Sequence, residues 1–225
     1  VNSQPVFYKK PVPLSKDQHG DLYINAVSDF NFTGKTNSIY IAAVEFFRAS
    51  RDYAIVFGKD TEGKIFPAVI LGLENDQNQY LDKKGEWTVD YIPAYIRRYP
   101  FILASSPADA GTYAVCIDES YEGLNRQKKG QPLYDDQGRK SETLERAIEF
   151  LKEYQSHIQL TNDFCHALQE NGLLESMQAT INKDGEQRSL GGFFCVNRDL
   201  LKGLQPGKLS ELMLADHLEL IYAHL

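Results

Sequence analysis

Apolar positions change their spacing several times along the chain, and each change marks an element. Residues 1–36 show no regular period and carry Pro5, Pro11 and Pro13. Proline fixes φ and withholds an N–H donor, so this stretch is expected to lie as an extended arm on a body formed by residues 37–225. Two runs of β formers follow, Asp52 to Phe57 and Lys64 to Leu71, separated by turn material from Gly58 to Gly63. They predict a hairpin. Pro67 cannot donate to a ladder, so its strand is expected at a sheet edge or with a bulge. Tyr80-Leu81 and Trp87 flank a further turn, Asp82 to Gly85. Asp90 is placed to cap a short helix from Tyr91 to Arg98, with Pro93 in its first turn and Pro100 as its stop. Phe101 to Ser105 and Thr112 to Asp118 predict a strand pair around Pro107 and Gly111, and residues 119–140 a polar surface loop.

The clearest helical period starts after Ser141. Leu144, Ala147, Ile148, Leu151, Tyr154 and Ile158 fall on one face, and Phe164, Ala167 and Leu168 continue it. Ser141 suits the N-cap, Glu142 and Glu145 suit the positive end of the helix dipole, and Gly172 suits C′. The period fits one long helix or two joined near Thr161. Met177 to Ile181 and Ser189 to Val196 then flank Lys183-Asp-Gly185, a second hairpin signal, with Gly191-Gly192 expected as a bulge or a close contact. Asp199 to Leu204 predicts a short helix stopped by Pro206-Gly207, and Leu209 to Leu225 a closing helix. Hairpins grouped around a helical block indicate an α+β fold, with a largely antiparallel sheet, a central long helix or helix pair, and a C-terminal helix.

Composition narrows the function classes. Apolar residues make up 42% of the 225, with 13 Tyr and 12 Phe, which is enough to build a core and excludes general disorder. The net charge is −7. The densest basic spots are pairs, such as Lys9-Lys10, Lys83-Lys84, Arg97-Arg98 and Lys128-Lys129, so the counterion-replacing stripe of a nucleic-acid binder is missing. No run approaches the ~18 apolar residues of a membrane span, and Ile39 to Phe47 contains Glu45. Val1 to Gly20 has no apolar core of signal-peptide type. Cys116, Cys165 and Cys195 each sit among apolar neighbours and read as buried, reduced thiols, which suits the cytoplasm. Cys165-His166 is the one Cys–His pair, but helical neighbours diverge. His spacing gives no HxxxH or HExxH, and no Walker loop, GxGxxG or GxSxG is present, so neither a metal nor a cofactor is expected.

Several residues could still carry chemistry. Asp118, Glu119 and Glu122 end a predicted strand, where carboxylates can act as acid and base or remain a solvated strand end. Arg97 and Arg98 stand among Tyr91, Tyr95 and Tyr99. There they can hold a carboxylate or phosphate, or pair internally with Glu45 or Asp118. Asp135, Asp136 and Gly138 read as a plain turn, not a calcium loop. Asn197 reads as an N-cap, and Arg198 as a partner for an acidic loop.

Ordered strings across nearly the whole chain resemble the SapC family of bacterial proteins. They include Asn37-Ser38 with Glu45-Phe46, Arg51 to Phe57, Tyr91-Ile-Pro-Ala-Tyr-Ile-Arg-Arg-Tyr-Pro-Phe101 and Cys116-Ile-Asp-Glu119. Gly123-Leu-Asn125, Leu190 to Phe193 with Val196 to Arg198, and Leu218 to Tyr222 complete the series. The resemblance implies association with a bacterial surface layer, and encoding near outer-membrane receptors and flavin-dependent halogenases. It carries over no catalytic residues. Two readings of function follow. One is a non-enzymatic binding or accessory protein, with a protein partner in a surface-layer or outer-membrane uptake system. It would work from the cytoplasm or, on the literal family name, within the surface layer. The other is an enzyme or small-molecule binder with a polar pocket of Arg97, Arg98, Asp118, Glu119 and Asn125.

Overall fold

A computed structural model of the chain describes residues 6–105, 113–183 and 186–225, so the turns expected around Pro107 and Gly111 and at Asp184-Gly185 lie outside the described residues. In chain order the elements are β1 (Pro11–Pro13), α1 (Lys16–His19), β2 (Tyr23–Ile24), β3 (Ser38–Tyr40), α2 (Phe46–Ala49), β4 (Ile55–Lys59) and β5 (Ile65–Ile70). Then come α3 (Ala94–Arg97), β6 (Phe101–Ser105), β7 (Tyr113–Asp118), β8 (Leu124–Asn125), β9 (Gln131–Pro132) and α4 (Glu142–Glu170). Last are β10 (Leu174–Lys183), β11 (Glu186–Val196), α5 (Arg198–Lys202), α6 (Pro206–Leu214) and α7 (His217–His224). Among the described residues every strand pairing is antiparallel, in line with the α+β fold and largely antiparallel sheet expected. Among the described residues no helix is long and apolar enough to cross a membrane.

The chain forms two compact units. The first comprises residues 1–33, 83–86 and 96–155. It holds a sheet of order β1-β7-β6 and a small one of order β8-β2-β9. Its core packs Leu22, Ile24, Phe101, Ile117 and Leu133 against Leu144 and Leu151 of α4, whose spacing of seven residues brings both to one face. A second cluster, Tyr8, Tyr99, Ile102 and Cys116, gathers Phe7, Phe32 and Tyr121 around it. The segment 119–140, expected as loop, contributes β8 and β9, which zip onto either side of β2.

The second unit comprises residues 34–82, 87–95 and 156–225. Its sheet runs β10-β11-β4-β5-β3. Phe46, Phe57 and Phe164 meet at its centre with centroids 5.9 to 6.4 Å apart. Pro67 lies in β5, which is an internal strand and not the expected edge. Its carbonyl accepts from Ile41 N at 3.2 Å on the β3 side. The missing N–H falls on that same side, opposite Ile41 and one residue past the end of β3, so the proline forfeits a bond only where that ladder stops. Gly191 and Gly192 oppose Gln178 across a break in register, the expected bulge, and Gly192 takes φ +84°, which a Cβ would strain.

Helix ends follow local chemistry. Ser141 Oγ accepts from Leu144 N at 3.2 Å. At the far end Leu173 N reaches Leu168 O and Gly172 N reaches Gln169 O, both at 3.0 Å, a Schellman closure with Gly172 at φ +62°. Between these ends α4 is one helix. Asp90 does not cap α3. That helix starts at Ala94, whose N–H is taken by Glu45 Oε1 at 2.7 Å. Pro206 opens α6 as its first residue instead of ending a helix, because its missing N–H costs nothing there. The expected closing helix is α6 plus α7, broken at Asp216, which adopts φ +58°.

Candidate functional site

Within the first unit a cleft of about 440 Å³ opens between α4 and the segment after β2. Thr143, Arg146, Ala147 and Phe150 line it from α4, at the i, i+3, i+4, i+7 spacing of a single helical face. Ile24, Val27 and Phe30 line it from the other side, and Ile96 to Phe101 close it. That last segment is folded by two short turns, Tyr99 N to Ile96 O at 3.1 Å and Phe101 N to Arg98 O at 2.8 Å. The lining carries Arg97, Arg98 and Arg146 and no Asp or Glu. The Arg97 guanidinium lies 5.2 Å from the centre of the Phe150 ring. Arg98 lies 5.3 Å from the Tyr154 ring and 5.8 Å from the Tyr8 ring. Arg146 pairs with Glu142, one turn earlier on the exposed side of α4.

A second hollow of about 510 Å³ shares Asn25, Ala26 and Tyr99 with the first. Its lining mixes Lys9, Asp29, Ser120 and Glu122, so it lacks the single sign of the first. Tyr99 stands between them, stacked on Phe32 at 4.3 Å, and burial, helped by the charge of Asp118, pushes its hydroxyl up to about 12.

The predicted carboxylates have other work. Asp118 ends β7 fully buried, and its oxygens accept from Lys9 N at 2.8 Å, Lys10 N at 2.9 Å, Ser120 N at 3.0 Å and Ser120 Oγ at 2.6 Å. Burial alone would raise its pKa, but these four donors outweigh burial and hold it below the usual carboxylate value. Glu119 bonds Lys10 Nζ at 2.6 Å and meets His19 Nε2 at 3.4 Å. Asn125 closes the loop behind it, accepting from Gln127 N at 3.0 Å and Lys129 N at 3.1 Å and donating to Lys129 O at 2.9 Å. None of Asp118, Glu119 and Asn125 lines the arginine cleft. In the second unit Glu45 is buried, accepting from Ala42 N at 2.9 Å, Ala94 N at 2.7 Å and Tyr91 Oη at 2.6 Å. Arg198 is the exposed first residue of α5, and Asn197 is its N-cap, accepting from Asp199 N at 2.8 Å and Leu200 N at 3.0 Å. Asp135 builds a plain turn with Gln137 and Arg139.

The Cys–His pair does not form. Cys165 is buried, and burial drives its thiol up to about 12, while the exposed His166 meets Glu170 at 3.4 Å. Among the described residues no group of three or more His, Cys, Asp or Glu converges on a metal-sized site.

The family model of SapC matches residues 14–225. The chain belongs to the SapC family. It matches no curated protein and no solved structure. The strings that carry the resemblance do different jobs in this SapC chain. Tyr91 to Phe101 delivers Arg97, Arg98 and Tyr99 to the cleft, Cys116 to Glu119 delivers the bonded Asp118, and Val196 to Arg198 delivers the α5 cap. The opposite wall escaped the sequence reading. Ala26 to Phe30 has no period, and the α4 face at Thr143 to Phe150 reads as ordinary helix.

Proposed function

We propose that this SapC protein is a non-enzymatic binding protein serving a bacterial surface-layer or outer-membrane uptake system. The observation that carries this reading is that its two buried carboxylates among the described residues are taken up by the fold. A general acid or base must reach substrate within ~3 Å. Asp118 is 0% exposed and bonded by four donors, and Glu45 is bonded by three. Both are turned to donors of the fold, and neither lines the cleft. Apolar side chains on the helices of the second unit support a protein partner: Leu214 and Met213 of α6 are 84% and 69% exposed, and Tyr222 of α7 is 65% exposed. Free thiols at Cys116, Cys165 and Cys195 support a cytoplasmic setting.

The test is affinity capture from the native cell, wild type beside Met213→Ser/Leu214→Ser/Tyr222→Ser, with cell fractionation in parallel. A surface-layer or outer-membrane component enriched by wild type and lost with the variant is the expected result. Capture that ignores the variant overturns the partner surface. Recovery of the protein in the coat overturns the cytoplasmic placement.

A further inference from the structure

We propose that the arginine-lined cleft of the first unit is a binding site for a small amphiphile with one carboxylate head and an apolar body. This site is separate from the partner surface on α6 and α7, and either can fail without the other. Its volume of about 440 Å³ falls within the range of small-molecule sites. Its walls are mainly apolar, with Phe30, Phe101 and Phe150 offering ring faces and Ile24 and Ile96 offering branched chains. Burying a ligand's hydrocarbon there removes apolar surface from water on both sides.

Charge fixes the sign of the ligand. The chain has a net charge of −7, yet this lining carries three arginines and no carboxylate. A cation entering the cleft would meet like charge, and an anion would meet the opposite one. The arginines also have the right form. The Arg97 guanidinium lies over the Phe150 ring at 5.2 Å, and that of Arg98 over the Tyr8 and Tyr154 rings at 5.8 and 5.3 Å. The guanidinium is a planar fork whose N–H donors can take a carboxylate at two points. The pairing of Arg146 with Glu142 offsets part of the positive charge, which favours a single negative charge over a di- or triphosphate. The remaining polar lining is uncharged, at Asn25, Tyr99, Gln131 and Thr143, and adds hydrogen bonds without adding charge.

Titration calorimetry with octanoate on the full chain tests this, with 1-octanol and octylammonium as comparators. Octanoate is expected to bind at one saturable site, at least about tenfold tighter than either comparator, since one charge-assisted contact is worth that factor. Arg97→Gln/Arg146→Gln is expected to weaken octanoate about tenfold or more while its circular dichroism stays that of wild type. Ala147→Trp, which fills the cleft from the α4 side, is expected to abolish it. Wild type that does not bind octanoate, or binds octylammonium as well, overturns the proposal whatever the variants do. So does undiminished octanoate binding by a folded Ala147→Trp.

Discussion

One end of the β6–β7 hairpin carries two charged pairs with different fates. Arg97-Arg98 precede β6, and Asp118-Glu119 close β7. Asp118 has a short side chain beside backbone donors that no strand satisfies, the N–H groups of Lys9, Lys10 and Ser120, and the fold consumes it. The arginines are long and planar, so they lie on aromatic faces at Phe150, Tyr8 and Tyr154 and line a cleft without carboxylates. The lesson is that a perturbed, buried charge is not by itself a site. What matters is what surrounds it: Asp118 is enclosed by donors of the fold, whereas the arginines line an open cleft.

The sharpest way to break this comparison is to remove the consumed charge. Asp118→Ala leaves four donors without an acceptor and is expected to cost about 4 kcal/mol in urea denaturation, with Asp118→Asn costing about half. A loss under about 1 kcal/mol for the alanine would mean that Asp118 does not organise the strand end. Its depressed pKa predicts the sign of the acid response. Stability from this group is full above the unfolded value near 3.9 and declines as pH falls below it.

The second unit offers a parallel case. Glu45→Ala strands Ala42 N, Ala94 N and the Tyr91 hydroxyl, and is expected to cost about 3 kcal/mol by the same measurement, with Glu45→Gln intermediate.

His224 sharpens the comparison from the basic side. Its Nε2 accepts from Val196 N at 3.1 Å, which keeps the ring neutral, and burial lowers its pKa to about 4 against a small raising pull from Ile55. The unfolded chain takes up this proton near pH 6.5 and the folded chain does not. Stability is therefore full above 6.5 and falls by about 1.4 kcal/mol per pH unit down to about 4. Thermal melts at pH 7.5 and 5.0 should show a drop that His224→Gln reduces.

The arginines should have the smallest effects on stability. Arg98→Ala loses its contacts with the Tyr8 and Tyr154 rings and is expected to cost about 1 kcal/mol, and Arg97→Gln about 0.5 kcal/mol or less, because Arg97 is solvent-exposed. A larger cost at Arg97 would mark it as a fold determinant and weaken its role in the cleft.

The sequence made the framework legible where a long pattern and its punctuation agree. The span of α4 from the Ser141 cap to the Gly172 closure, both long hairpins, the Gly191-Gly192 bulge and the Asn197 cap are all written in local residues. Features set by distant partners were not. The first helical N–H of α3 is taken by Glu45, which is 49 residues away, so Asp90 looked like the cap. Pro67 sits harmlessly inside a sheet only because β3 stops one residue short of it. The strands β8 and β9 are two residues each and leave no alternation to read. For the site, Arg97 and Arg98 were visible as a pair among tyrosines, but their cleft was not. Its second wall comes from aperiodic residues of the first segment and from a helix face that reads as core packing.

The most direct measurement is octanoate titration of Asp118→Asn and Arg97→Gln/Arg146→Gln side by side, each with its urea denaturation curve. The division of roles predicts that Asp118→Asn is markedly less stable but binds octanoate within about threefold of wild type. The arginine variant should keep its stability to about 0.5 kcal/mol and lose affinity by about tenfold or more. A folded Asp118→Asn that loses binding, beside an arginine variant that keeps it, would contradict the account.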